Sequence, residues 1–132
     1  MNNPEHEILF GNHETILLVD DNQDILETSR DILETLDFKV LTASNGREAI
    51  DVYQNQSNID LFILDVMMPI MGGVAFAEWI IRKKPHARII FCTGSDRSNE
   101  LKLFMQQRDV CLLSKPCTIP ILSQAIHKVL EN

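Results

Sequence analysis

Four short runs of consecutive apolar residues punctuate the chain: Ile16 to Val19, Leu61 to Leu64, Ile89 to Cys92 and Val110 to Leu113. Each is too short for a helix and β-branched or aromatic enough for a strand, and an unbroken apolar run predicts a strand buried on both faces. A fifth segment, Lys39 to Ala43, alternates only in part and predicts a strand at a sheet edge. Between these runs, helical spacing predicts inward stripes at Ile25, Ser29, Ile32, Leu33 and Leu36, then Ala49, Ile50 and Tyr53, then Val74, Ala77 and Ile81. The last helix has its stripe at Ile121, Leu122, Ala125 and Val129, while the fourth, Ser98 to Arg108, is less regular. Asn45 with Glu48 reads as a capping pair for the second helix, and Thr118 as the cap of the last.

Strand and helix alternate five times, which predicts a parallel sheet covered on both faces through right-handed crossovers, a doubly wound (βα)5 α/β fold. Residues 1–13, polar and carrying His6 and His13, read as a flexible N-terminal tail, leaving 14–132 as one domain.

Composition narrows the function classes. The 132 residues are 45% apolar, enough for the core of a single domain, and carry 12 Lys plus Arg against 19 Asp plus Glu, a net charge of -7. An acidic chain without a basic cluster repels phosphate backbones, so no direct nucleic-acid binding is expected. The apolar runs fall far short of the roughly 20 residues that cross a bilayer, and MNNPEHEILF lacks the basic start of a secretion signal, so a soluble, cytoplasmic protein with no membrane contact is expected. Cys92, Cys111 and Cys117 are odd in number and lack CxxC spacing; they read as small hydrophobes in a reducing cell rather than a disulfide framework or zinc site.

In an open parallel sheet, ligands bind beyond the carboxyl ends of the strands. Asp20 and Asp21 follow the first run, Asp65 the third strand, Thr93 the fourth, and Ser114 and Lys115 the fifth. Three carboxylates in one crevice repel one another and need a cation, and oxygen-only ligands select a hard ion such as Mg2+. A carboxylate beside Mg2+ attacks phosphoryl groups, and a lysine with a threonine holds the phosphoryl oxygens. Asp65, Lys115 and Thr93 fit those roles. Taken singly, each also fits a helix cap or a surface residue; agreement among four strand ends favours a site. Gly72-Gly73 and Gly94 leave backbone room close by or serve as ordinary turn glycines, and a cis Lys115-Pro116 bond is a further possibility.

At these positions the sequence resembles the receiver domain of two-component response regulators over about residues 14–130. The acidic pair in LLVDDNQD, the LFILDVMMPIMGG segment, and the FCTGS and LLSKP strand ends carry the resemblance. It implies a flavodoxin-like three-layer sandwich with strand order 2-1-3-4-5, and a role in phosphorelay signalling rather than as a turnover enzyme. It implies that Asp65 accepts a phosphoryl group from a sensor histidine kinase, a histidine phosphotransfer protein or a small phosphodonor. Asp21, Asp65 and the backbone carbonyl of Met67 would ligate Mg2+, with Asp20 acting through water, while Thr93 and Lys115 bind the phosphoryl oxygens.

The chain departs from the family at several positions. Many receivers have an aromatic residue three before the lysine, where this chain has Leu112; Gly72-Gly73 replaces an Asp-Gly pair; and Arg108 to Leu112 lacks the Gly-Ala-Asp pattern common in receivers of DNA-binding regulators. Met67 and Ser95, which flank the approach of an attacking water in the family, are neither acid nor amide, so phosphoryl loss without special acceleration is expected. A stand-alone regulator, a domain of a longer one and the receiver of a hybrid kinase all remain open; the lead-in with Gly11, Asn12 and Glu14 is similar to that of hybrid-kinase receivers. An output domain or downstream protein would dock near the fourth helix and last strand, where Leu101, Phe104 and Met105 are either partly exposed or core.

Other classes fit less well. An aspartate-nucleophile Mg-dependent phosphohydrolase puts nucleophile and acid as Asp-x-Asp on one strand and carries a cap, whereas Asp20-Asp21 and Asp65 lie on separate strands here. A flavin or nucleotide module needs a Gly- or Ser/Thr-rich phosphate loop where this chain has Asp20-Asp21-Asn22-Gln23-Asp24. A phosphorylation-independent pseudo-receiver scaffold is disfavoured because every site residue is present.

Overall fold

The computed structural model describes residues 7–94 and 98–131. Along the chain run β1 (Thr15–Val19), α1 (Gln23–Thr35), β2 (Lys39–Ala43), α2 (Gly46–Asn55), β3 (Leu61–Asp65), α3 (Gly73–Lys83), β4 (Ile89–Thr93), α4 (Asn99–Gln107), β5 (Cys111–Ser114) and α5 (Ile119–Glu131). The strands form one parallel sheet in the order β2-β1-β3-β4-β5, the flavodoxin-like arrangement expected from the sequence. Lys39–Ala43 is an edge strand, as its mixed pattern predicts.

Alternate residues of each buried strand feed two separate cores. Leu17, Val19, Phe62, Leu64 and Phe91 pack on the side of α2, α3 and α4, where Phe62 meets Tyr53 and Phe76, and Phe104 stands edge-on to Phe91 at 5.5 Å. Ile16, Leu18, Leu61, Ile63 and Ile90 pack on the opposite side with Leu26, Leu33 and Ile126 of α1 and α5. Burial on both faces is the physical reason the strand sequences are unbroken apolar runs.

The helix stripes need correction in two places. In α1 the residue facing the core is Leu26, 5% exposed, and not Ile25, 40% exposed. The Asn22 side chain accepts from the backbone N–H of Asp24 and Ile25 and fixes where the helix starts, which leaves Leu26, Leu33 and Leu36 in the core. In α5, Ile126 and Ser123 are buried while Ile121 is half exposed. In α3, Phe76 and Ile80 join Val74 and Ala77 inside, and Ile81 is partly covered. Leu101 and Phe104 of α4 belong to the core, so the exposed apolar residues of that helix are Leu103 and Met105.

Both predicted caps are present, the first in altered form. Asn45 accepts from the Glu48 N–H at 2.9 Å, but the Glu48 carboxylate accepts the Ser44 hydroxyl at 2.6 Å instead of returning to Asn45. Thr118 accepts from the Ile121 N–H at 3.4 Å. Of the segment expected as a tail, residues 1–6 lie outside the described residues, and 7–13 run against α1 and α5. The Gly11 N–H donates to Leu36 O at 2.7 Å, the His13 N–H to Asp37 O at 2.8 Å, and the Leu9 N–H to the Ser123 hydroxyl at 3.1 Å. Among the described residues no helix is long and apolar enough to cross a membrane.

The phase of α1 is open to test by urea denaturation. Leu26→Ala is expected to cost about 2 to 4 kcal/mol and Ile25→Ala less than about 1 kcal/mol; the reverse order would contradict the placement of Leu26.

Candidate functional site

The carboxyl ends of β1, β3, β4 and β5 converge because these strands are neighbours in the sheet. Asp20 follows β1, Asp65 closes β3, Thr93 closes β4, and Lys115 follows β5; Asp65 lies beside Cys92 in the register, and Thr93 beside Ser114. The Lys115 N–H donates to Thr93 O at 2.7 Å and carries the ladder one residue past β5. Carboxylate oxygens of Asp20, Asp21 and Asp65 lie within 4.8 Å of one another. The Lys115 Nζ donates to Asp20 Oδ2 at 2.6 Å and lies 3.4 Å from Asp65 Oδ1. The Asn22 N–H donates to Asp20 Oδ1 at 2.9 Å, so both Asp20 oxygens are engaged. Asp20, Asp65 and Thr93 are buried, whereas Asp21 is exposed. The Lys115-Pro116 bond is cis.

Burial pushes the Asp65 carboxyl up to about 6, with the charges of Asp20 and Asp21 adding to the rise and Lys115 opposing it. Burial acts to lower the Lys115 ammonium, but its hydrogen bond to Asp20 and the charges of Asp65 and Asp20 prevail and hold it above its ordinary value. Every described neighbour of Asp65 that carries a full negative charge therefore acts against its ionisation, and a cation relieves exactly that repulsion by chemistry alone. The donor set, three carboxylates with one exposed to solvent, fits a hard divalent ion.

The loop from Asp65 to α3 is shaped by steric room. A Cβ on Gly73 would lie 2.1 Å from Asp65 O, so only hydrogen fits, and the Gly73 N–H donates to Val66 O at 3.1 Å. Ile70 stands in the same loop at φ 70, a left-handed conformation that β-branched residues rarely adopt. Met67 exposes its side chain beside the site.

Asp20, Asp21, Asp65 and Lys115 are thus in one cluster, with Thr93 buried at the adjoining strand end. Met67 is exposed in the loop after Asp65, and Ser95 lies outside the described residues. Leu112 is partly buried against the α3 and α4 side of the sheet. Of the two readings of Gly72-Gly73, the close backbone approach holds at Gly73, which packs against Asp65 O. What the sequence does not signal is that Cys92 and Cys117 line one cavity, where the neighbouring thiol pushes Cys117 down to about 7 and Cys92 up.

Residues 16–127 match the response regulator receiver domain model. The chain belongs to that family. It is 32% identical over 87% of its length to two-component response regulator 24 of Arabidopsis thaliana, of which it covers 83%. It is also 32% identical over 89% of its length to the transcription factor SKN7 of Chaetomium thermophilum, but spans only 15% of that protein. A receiver domain protein from Clostridium thermocellum superposes with a TM-score of 0.82 at 31% identity, covering 89% of this chain and 94% of that one. The response regulator TrrA of Thermotoga maritima, solved in complex with Mg(2+)-BeF, gives 0.77 at 31% identity, covering 88% and 98%. The receiver family is a signalling domain of two-component systems and not a turnover enzyme.

The raised Asp65 pKa makes a signed prediction. Its proton is held more tightly folded than unfolded, so Asp65 contributes stability below about pH 4 that is lost as pH rises through about 6. Without metal, Asp65→Asn is therefore expected to gain on the order of 1 to 2 kcal/mol over the parent near pH 8, with the gap closing toward about pH 4. Paired urea melts in EDTA measure it; a gap independent of pH would refute the assignment.

Proposed function

We propose that this receiver domain takes a phosphoryl group on Asp65 and that the modified site alters its partner-binding surface. One observation carries the reading: the buried Asp65 carboxyl lies 3.4 Å from the Lys115 ammonium and within 4.8 Å of two further carboxylates, on the carboxyl edge of a parallel sheet. In the step, an Asp65 oxygen forms a bond to phosphorus as the bond from phosphorus to the donor breaks, and the leaving group departs opposite the attack. The donor is the phosphohistidine of a sensor kinase or phosphotransfer protein, or a small acyl phosphate.

Lys115 exchanges its contact with Asp20 for a phosphoryl oxygen, and the Thr93 hydroxyl, at the end of the neighbouring strand, donates to another. Asp20, Asp21, Asp65 and the Met67 backbone carbonyl would hold Mg2+. When bound, the ion offsets the carboxylate charge and draws electron density from the phosphoryl oxygens. Asn22 keeps Asp20 oriented toward the site.

The partner surface is placed on α4 and β5, where Leu103 and Met105 are the exposed apolar residues. The domain itself is assigned no nucleic-acid contact: its net charge of -7 opposes one, and DNA-directed activity in longer relatives would require their further length. A cytoplasmic setting is in keeping with these phosphodonors.

Intact mass after incubation with acetyl phosphate is expected to show one phosphoryl adduct in the parent with Mg2+, and none without Mg2+ or in Asp65→Asn. An adduct that persists in Asp65→Asn would move the acceptor elsewhere. Once formed, the phosphoprotein should lose its phosphoryl group faster in Met67→Asn, where an amide orients the attacking water; a variant decaying no faster than the parent counts against Met67 lying on that approach.

A further inference from the structure

Four of the 12 lysines and arginines fall in one run, Arg82-Lys83-Lys84-Pro85-His86-Ala87-Arg88, a local reversal that the chain's net charge of -7 conceals and the phosphoacceptor reading does not use. The fold splits the run. Lys83 lies over the Trp79 ring at 5.5 Å and the Lys84 ammonium donates to Ile59 O at 2.5 Å, so no continuous basic stripe forms. Arg88 instead comes to the amino end of the sheet, opposite the edge that carries Asp65. It precedes β4, while Arg108 and Asp109 lie in the connection to β5, whose Cys111 stands beside Ile90 in the register. Helix α5 returns from the carboxyl edge and brings Lys128 to the same end. Arg88, Arg108, Lys128 and Asp109 line a cavity of about 380 Å³, within the size range of small-molecule sites.

Two of these cations stand on fixed backbone. The Phe62 N–H donates to Arg88 O at 2.9 Å, which joins Arg88 to the sheet, and the Ala87 N–H donates to Lys84 O at 2.9 Å. The half-buried Arg108 guanidinium donates to Pro85 O, tying the connection before β5 to the one before β4. That contact uses one of its five N–H donors. Among the described residues no ion pair joins Asp109 to Arg108 or Lys128. Three cations against one carboxylate leave the wall with an excess of two positive charges.

We infer that this cavity binds a small organic phosphate monoester, with its phosphate held by Arg88, Arg108 and Lys128 and its apolar body against Ile89, Val110 and Val129. A phosphate monoester carries about -1.5 to -2 charges near pH 7, which matches the excess on the wall. The guanidinium fork pairs with two phosphate oxygens at once, whereas a lysine supplies a point charge. The rest of the wall is apolar, so a ligand with a carbon body gains burial that inorganic phosphate does not. Neither metal nor covalent chemistry enters, and the site lies at the end of the sheet away from Asp65, so it stands whether or not Asp65 is the phosphoacceptor.

Phenyl phosphate titrated into the full chain in EDTA and low salt, and followed by amide shifts in NMR, tests the site. Saturable shifts are expected at residues 87–89, 108–111 and 128–129, with none comparable at Asp20, Asp21 and Asp65. Arg108→Gln and Lys128→Gln each weaken binding about tenfold, Asp109→Asn tightens it, and Asp65→Asn binds as the parent does. Added salt weakens binding, inorganic phosphate binds less tightly than phenyl phosphate, and phenol gives no saturable shift. Circular dichroism verifies that the variants fold, and the exposed Lys128→Gln decides the matter if Arg108→Gln does not fold. Shifts centred on Asp65, undiminished binding in Lys128→Gln, or no saturation overturns the site. Equal binding of inorganic phosphate, an anion held by charge alone, or tighter binding of the dicarboxylate phthalate overturns the ligand class.

Discussion

Three carboxylates crowd a single sheet edge against one ammonium, and the rest of the structure has to withstand that charge. At about 4 Å, two like charges near a protein surface repel by roughly 4 kcal/mol at an effective dielectric of about 20. Lys115 offsets part of this by contacting both Asp20 and Asp65, yet burial and the two neighbouring acids still leave Asp65 titrating near 6. The carboxylates stay together because each leaves a strand whose own side chains are wholly committed to two apolar cores, with Val19 and Leu64 on one side and Leu18 and Ile63 on the other. Moving one acid outward would require unpacking the strand behind it. The crowding is thus stored by the hydrophobic sheet, and it is what gives the edge its affinity for positive charge.

The sheet was legible in the sequence because burial on both faces removes polar residues and leaves runs that only a central strand explains. The strand limits differ by a residue where polar side chains continue the ladder: Thr15, Asp65 and Thr93 are strand residues, although the apolar runs stop short of them. Helix phase was less legible. Ile25 and Leu26 are adjacent, as are Ile121 and Leu122, and a period of 3.6 residues fits either member of such a pair about equally well. In α1 the decision falls to the Asn22 cap, a side-chain to backbone contact that hydrophobic periodicity does not encode. Leu101 and Phe104 were ambiguous for a related reason: α4 spans only Asn99–Gln107, too few turns for a stripe to declare itself.

The acidic pair, Asp65, Thr93 and Lys115 were legible because parallel strands deliver their following residues to one edge whatever the helices between them do. What stayed hidden depends on distances between remote parts of the chain. That Cys92 and Cys117 line one cavity requires β4 and β5 to be neighbours and the turn after Ser114 to lie on the α1 side. The segment 7–13 contains the short apolar run Ile8-Leu9-Phe10, too brief to declare an element, yet its backbone donors reach Leu36 O and Asp37 O, and Gln124 donates to Glu7 O at 2.8 Å. Such bonds are made by main-chain atoms or lone side chains and leave no pattern along a sequence.

The loop after Asp65 shows how the acid is kept both fixed and reachable. Seven residues, 66–72, carry the chain from β3 to α3, and the helix begins directly against the Asp65 carbonyl because Gly73 has no side chain to clash there. The loop is pinned at three points: Gly46 N–H to Met71 O at 2.8 Å, Met71 N–H to Pro69 O at 2.7 Å, and Gly73 N–H to Val66 O at 3.1 Å. Those bonds leave Ile70 in a left-handed conformation with its side chain 83% exposed, a local cost of about 1 to 3 kcal/mol. A freer loop would relieve Ile70 but let the Asp65 backbone move relative to Asp20 and Lys115, which follow β1 and β5. Strain at one exposed residue is therefore the counterpart of a carboxyl held in fixed register with its ammonium and its two acidic neighbours.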